Sequence, residues 1–225
     1  MERCLDVIFS GLALLILFPL LVPIIIILRC TAEGEVLFLQ KRVGRNGEIF
    51  KLYKFVTMLK DSPKMGTGTI TIKDDPRILP VGIFLRKTKI NELPQLLNIF
   101  FGDMSVIGPR PLTEQTFSSY SAVTQNVIKQ VRPGLSGVGS IIFRGEEKLM
   151  QGANASVDFY DRVIAPYKGE LEEWFVANKS LYVYFMAILI TIWAVLFPQS
   201  TIAWRVFEGL PEPTEELKLP LNWRP

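Results

Sequence analysis

From Val7 to Leu28 the chain carries no charge, and Asp6 and Arg29 bound the run. A bilayer core is crossed by about 20 apolar helical residues, so the run predicts a membrane helix. Pro19 and Pro23 each remove a backbone donor and crowd the preceding turn, which predicts a helix break at Pro19, near the middle. Arg3 lies before the run, and Arg29, Lys41, Arg42 and Arg45 follow it. Basic flanks favour the cytoplasmic side. Both ends are therefore expected on one face, as in a re-entrant helix that dips in and returns.

Beyond this run the pattern shortens. Residues 34–58 read as two strands around Asn46-Gly47, a hairpin signal. The first strand is expected to end near Val43 and the second to cover about Ile49–Met58. Residues 60–75, rich in Lys, Gly, Thr and Asp, read as a loop. An amphipathic piece starts at Gly82–Lys87. A helix then follows with Asn91 as N-cap, Pro94 in its first turn, Leu96, Leu97, Ile99 and Phe100 on its apolar positions, and Gly102 as terminator. Ser118–Gln130 predicts one helix, Arg132–Gly137 a turn-rich loop, and Val157–Asn178 a surface helix of mixed charge. Leu181–Phe197 is uncharged and has aromatics near its ends, which suits the headgroup region; a tilted span remains an alternative. Pro211–Pro225 reads as a tail without a core of its own.

Composition sharpens this in two ways. Of the 225 residues, 49% are apolar and the net charge is only +3, so bulk charge points away from nucleic acid. The chain has no histidine, which excludes His-based triads, His metal sites and His general bases. Acid–base or metal chemistry must come from carboxylates, Lys, Tyr or water. Cys4 and Cys30 flank the first apolar run without any CxxC spacing, and read as reduced thiols.

The densest chemistry lies at 86–111, RKTKINELPQLLNIFFGDMSVIGPRP. Glu92 and Asp103 supply carboxylate oxygens of the kind Mg²⁺ accepts while it keeps waters and bridges to phosphates. Glu92 also sits at a helix start, where the dipole favours its ionised form. Arg86 and Lys87 precede that helix. Arg110 stands in Gly108-Pro-Arg-Pro111, a frame that leaves little rotamer freedom to lose when a guanidinium grips phosphate. Lys54, on the second strand, adds another cation. Cations, a metal and a diphosphate are the usual parts of phosphoryl transfer.

These motifs resemble those of the bacterial sugar transferases, the monotopic polyprenyl-phosphate phosphoglycosyl transferases. The likeness rests on Arg3 and Asp6 before an apolar helix broken at Pro19, then QKRVGRNGEIFKLYKF, DDPR at 74–77, LRKTKINELPQLLN, GDMSVIGPRP and RPGLSG. It runs from about Arg3 to Gly139 and more loosely to about Leu196. It implies a mixed, helix-rich α/β protein. Residues 1–30 would form the re-entrant helix, 31–178 the catalytic domain on the cytoplasmic face of the bacterial inner membrane, 179–200 an apolar interfacial or membrane segment, and 201–225 a tail. The implied reaction is ping-pong. A carboxylate attacks the β-phosphate of a UDP-sugar, UMP leaves, and a polyprenyl phosphate takes up the sugar-1-phosphate, with Mg²⁺ offsetting phosphate charge. Glu92 matches the family's acidic dyad partner and metal ligand. Arg86 and Arg110 match its phosphate- or nucleotide-contacting arginines, and Lys54 and Arg132 join them as expected substrate contacts. Membrane lipids are expected partners, nucleic acid is not, and pairing with a second copy is left open.

The chain departs from this pattern at one decisive position. The family's nucleophile is an Asp, and Asn91 stands there. An amide offers no anionic oxygen to phosphorus. Asn91 is thus a lost nucleophile in a dead or trapping enzyme, or Glu92 attacks in its place, or Asn91 deamidates to Asp. A catalytically silent membrane scaffold of the same pathway is the competing class. Val56 also replaces an Arg common in the family after Lys-Phe.

Overall fold

The computed structural model describes residues 1–31, 33–62, 75–150 and 157–223. Most of the loop expected at 60–75 and the Asp74 of the DDPR motif lie outside them. The chain folds as two compact units: Met1, Arg3–Gln40 and Lys51–Gly102 form the first, and Glu2, Lys41–Phe50 and the chain from Asp103 onward form the second.

The first unit begins with α1, Glu2–Thr31, which stays helical through Pro19 and Pro23. Among the described residues it is the one helix long and apolar enough to cross a membrane. Leu12, Leu15, Ile16, Phe18 and Ile26 are exposed along it. In its last turns only one face is buried: Ile24 and Leu28 join Phe55, Val56 and Leu85 in the core of this unit. Strands β1, Leu37–Val43, and β2, Ile49–Phe55, pair as expected. The tip between them, which belongs to the second unit, is a short 3-10 turn in which Asn46 and Gly47 take φ of 58° and 79°, the left-handed values that make Asn-Gly a hairpin signal. Helix α2, Pro80–Lys87, starts with proline in its first turn. Gly82 lets it pack directly on the Thr57 carbonyl, where any Cβ would collide.

Helix α3, Gln95–Phe101, starts later than the sequence suggests. Asn91 is not its N-cap. It belongs to a separate 3-10 turn, Ile90–Glu92, entered through Lys89 at φ 60°, and Pro94 takes the cap position. Proline fixes φ and needs no N–H there, so the helix can start without a capping side chain. Gly102 ends it at φ 104°. Arg3 donates to the last carbonyls of α3, from Nη1 to Ile99 at 2.5 Å and from Nη2 to Phe100 at 2.7 Å. That satisfies acceptors a helix end leaves open.

In the second unit, β3, Ser105–Ile107, pairs in parallel with β4, Gly134–Ser136, with Ser105 opposite Gly134 and Ile107 opposite Ser136. Between them the single helix expected at 118–130 is two, α4, Glu114–Ser118, and α5, Ala122–Ile128. Tyr120 divides them, and Thr113 and Ser121 cap each start with a side-chain oxygen, the residue type that competes for backbone donors. Then come α6, Val138–Ile142, α7, Glu146–Leu149, and α8, Val157–Phe159. A π turn at Tyr160–Ile164 leads into α9, Ala165–Ala177.

The surface helix expected over 157–178 is instead a core element: Tyr167, Lys168, Leu171, Glu172 and Phe175 of α9 are buried. Helix α10, Leu181–Leu196, buries Val183, Tyr184, Ala187, Ile190 and Ala194 and exposes Tyr182, Phe185, Leu189, Ile192 and Leu196. Two further helices follow, α11, Ile202–Val206, and α12, Glu215–Lys218. The tail is not loose. Leu217 is fully buried, and the Tyr167 hydroxyl donates to the Pro211 carbonyl at 2.8 Å.

Candidate functional site

The first unit places Glu92 beside Lys54, with Oε1 and Nζ 3.2 Å apart. Both side chains keep partial access to solvent, 25% and 19%. What brings them together is Asn98, fully buried in α3. Its Oδ1 accepts from the Tyr53 N–H at 2.9 Å and its Nδ2 donates to the Lys51 carbonyl at 2.8 Å. One amide thus clips α3 to β2 and carries the preceding acidic turn to the strand that bears Lys54. Sequence reasoning passed over Asn98. The available signal was an amide inside the apolar run QLLNIFF, a place where a polar group must be satisfied internally.

Asn91, next to Glu92, has a buried Oδ1 with no hydrogen-bond partner. A buried oxygen acceptor without a donor is costly, and its presence beside a carboxylate suits a site that receives a cation. Among the described residues no group of three or more His, Cys, Asp or Glu is placed to hold a metal. Mg²⁺ asks for less, since one or two carboxylates suffice when phosphates and waters complete its shell. Glu92, with the Asn91 oxygen beside it, fits that. Arg86 lies half-buried in the last turn of α2. Also in this unit, Arg77 forks onto Asp75, Nε to Oδ1 at 2.8 Å and Nη2 to Oδ2 at 2.6 Å, and Nη1 reaches the Ser62 carbonyl at 2.8 Å. These groups are almost fully buried, so this part of the DDPR motif is structural.

The second unit holds Asp103, Arg110 and Arg132. The structure brings the last two motifs together. The Ser105 N–H donates to the Pro133 carbonyl at 2.9 Å, Gly108 to Ser136 at 2.9 Å and Gly134 to Pro109 at 2.7 Å. The backbones lie so close that a Cβ on Gly108 would meet the Arg132 carbonyl at 2.5 Å, and one on Gly137 would overlap the Gly108 carbonyl. Arg132-Pro-Gly-Leu-Ser-Gly is therefore the partner strand of Gly-Pro-Arg-Pro, not an independent loop. The hairpin tip joins them: the Arg42 Nη1 donates to the Pro111 carbonyl at 3.1 Å and the Val43 N–H to the Leu112 carbonyl at 2.9 Å. A shallow, open depression lies here, lined by Gly44, Pro109, Arg110, Phe117 and Lys129 among others.

Beneath the exposed Arg110 lies a cluster of charges the sequence did not reveal. Lys168 is buried, with Nζ 2.8 Å from Glu146 Oε2 and its ammonium over the rings of Phe143 and Tyr160, at 5.4 and 5.9 Å. Burial pushes its pKa down, Glu146 pulls it back up, and Arg110 pushes it down further. Glu172, one turn along α9, is pushed up to about 7 by burial, against the pull of Lys168 and of Arg110. Tyr120 and Tyr160 hydrogen-bond to each other, and burial raises both phenols. The signal was present as Lys168-x-x-x-Glu172, but i,i+4 opposite charges ordinarily mark a solvated face.

Sequence comparison points the same way. The chain is similar to the exopolysaccharide production protein ExoY of Rhizobium meliloti, 35% identical over 159 residues, covering 64% of this chain and 70% of that one. It is also similar to the UDP-glucose:undecaprenyl-phosphate glucose-1-phosphate transferase of Klebsiella pneumoniae, 34% identical over 163 residues, or 70% of this chain and 34% of that enzyme. Against the galactosyl transferase CpsE of Streptococcus agalactiae the identity is 35% over 173 residues, 72% of this chain and 35% of the other. Residues 1–198 match the bacterial sugar transferase family, and the chain belongs to it.

Proposed function

We propose that the chain transfers a sugar-1-phosphate from a UDP-sugar to a polyprenyl phosphate and releases UMP, as the first membrane step in assembling a surface polysaccharide or glycoconjugate. The observation that carries this is the Lys54–Glu92 pair, a solvent-reachable carboxylate held 3.2 Å from a cation on the turn where the family keeps its acidic dyad. The names of its relatives, glucose-1-phosphate transfer to undecaprenyl phosphate among them, support the acceptor class.

In this reading a carboxylate oxygen attacks the β-phosphorus of the donor. A new oxygen–phosphorus bond forms, the bond to the bridging oxygen breaks, and UMP leaves with its electron pair. The polyprenyl phosphate oxygen then displaces the carboxylate. Glu92, with the neighbouring Asn91 oxygen, would hold Mg²⁺, which when bound offsets phosphate charge. Lys54 positions Glu92. Arg86 in the first unit and, separately, Arg110 and Arg132 in the second are the arginines expected to take up phosphate oxygens, for which a guanidinium fork is suited. The long apolar α1 and the apolar exposed face of α10 support association with a membrane, and in this reading both ends of α1 lie on the cytoplasmic face of the inner membrane, as their basic flanks favour.

A second reading follows from Asn91. With an amide at the nucleophile position the chain is a donor-binding scaffold or a trapped enzyme. UMP release from a panel of UDP-sugars, with polyprenyl phosphate and Mg²⁺, separates the two. Turnover by the chain as it stands makes Glu92 the nucleophile. Turnover only after Asn91→Asp makes this chain a disabled enzyme. Turnover by neither sinks the transferase reading.

A further inference from the structure

We infer that Glu172 is a positioning residue for Arg110: its buried carboxylate grips the backbone of the Gly108–Pro111 turn and so fixes where the guanidinium meets an anionic ligand. The inference builds on the reading of Arg110 as a phosphate-binding arginine.

Three observations carry it, all within the second unit. The backbone N–H of Arg110 donates to the Glu172 carboxylate. The same carboxylate lies against Gly139, where a Cβ would overlap Oε1, so a glycine makes the room that lets the side chain reach the turn. Oε2 is buried without a partner, which is a poor arrangement for stability alone and is tolerated when the group has another task. The charged groups around it are Lys168 on the same helix and Arg110 on the turn. Glu146 pairs with Lys168, the Tyr160 ring lies 5.9 Å from its ammonium, and the Tyr120 phenol feels the Glu172 charge.

A carboxylate accepts a hydrogen bond more strongly ionised than protonated. Since burial brings Glu172 to about 7, its hold on the turn should tighten as pH rises through neutrality.

The test uses the full chain in detergent micelles with arginine labelled in its backbone nitrogen, and Arg110→Lys to assign the resonance. The Arg110 amide should titrate near neutral pH in the native chain and cease to do so in Glu172→Gln, which keeps the shape and an acceptor oxygen. An amide that does not titrate, or titrates unchanged in Glu172→Gln, overturns the inference. UDP-glucose, whose diphosphate has no ionisation near neutrality, then reports on the guanidinium. Its affinity should rise from pH 6 to pH 8 in the native chain, be flat with pH in Glu172→Gln, and be roughly tenfold weaker in Glu172→Ala. Equal affinity in Glu172→Ala also overturns it. A titrating amide in a native chain that fails to bind UDP-glucose counts against the nucleotide-sugar reading and leaves the grip of Glu172 on the turn standing.

Discussion

The acidic turn of the first unit and the arginine turn of the second are built in opposite ways. Glu92 and Lys54 meet as partly solvated groups 3.2 Å apart, and one buried amide, Asn98, brings them there. Arg110 stands on a turn whose backbone is wedged against a second strand, glycine to carbonyl, with a buried carboxylate below. The first arrangement leaves its carboxylate reachable from solvent. The second spends burial on holding a position. A carboxylate that attacks or binds metal must exchange partners during a reaction, whereas an arginine that grips phosphate works best when its path is already fixed.

The largest expected effect breaks the comparison on the reactive side. Asn91→Asp should raise UMP release about a thousandfold or more if the native chain lacks its nucleophile, with little change in thermal stability. An equally active native chain would show that the acidic turn tolerates the amide.

On the other side, Gly134→Ala should destabilise the second unit by about 3 kcal/mol, because its Cβ would overlap the backbone of Gly108, which has no rotamer by which to escape. Chemical denaturation checks this, and a loss under about 1 kcal/mol would mean the strand pair is looser than it looks.

Next comes a pH signature. Glu172 is raised from 4.5 to about 7 by burial, so its carboxyl is easier to protonate folded than unfolded. Its contribution is therefore fully favourable below pH 4.5 and is lost as pH rises to about 7. The loss is on the order of 3 kcal/mol. Melting temperatures of the native chain and Glu172→Gln should diverge between pH 5 and pH 8 in favour of the Gln form. Parallel curves would place the titration elsewhere.

The smallest stability change belongs to Lys54→Met. The pair is partly exposed, so less than about 1 kcal/mol is expected, together with a marked fall in turnover of the active form. A large drop in melting temperature would make Lys54 a structural residue and blur the contrast between the two turns.

What could be read from the sequence follows the same divide. The Asn46-Gly47 tip, the length of α1 and the Gly102 terminator were legible because each depends on residues a few positions apart. Strands β3 and β4 were not. Each has three residues, and each exists because of a partner beyond two intervening helices, which no local period reports. The break at Tyr120 was hidden for a related reason: Ser121 looks like one more polar helix residue until its side chain is seen capping a new start. On α9 the charges misled, because Lys168 and Glu172 mark a solvated face unless something buries them. Among the candidate site residues, Lys54 and Glu92 were expected separately and the structure pairs them. Asn98 and Glu172, which hold others in place, went unnoticed because a supporting residue has no motif of its own.

The glycine-to-carbonyl wedge between Gly108 and the Arg132–Gly137 strand also bears on how this family can be re-engineered. Neither motif is a portable cassette. A Gly-Pro-Arg-Pro turn moved into another scaffold would arrive without the surface that shapes it, and a library randomised over one motif alone would consist mostly of collisions with the other. Chimeras between relatives should therefore exchange Ser105–Pro111 and Arg132–Gly137 as one module, although some twenty residues of sequence separate the pieces.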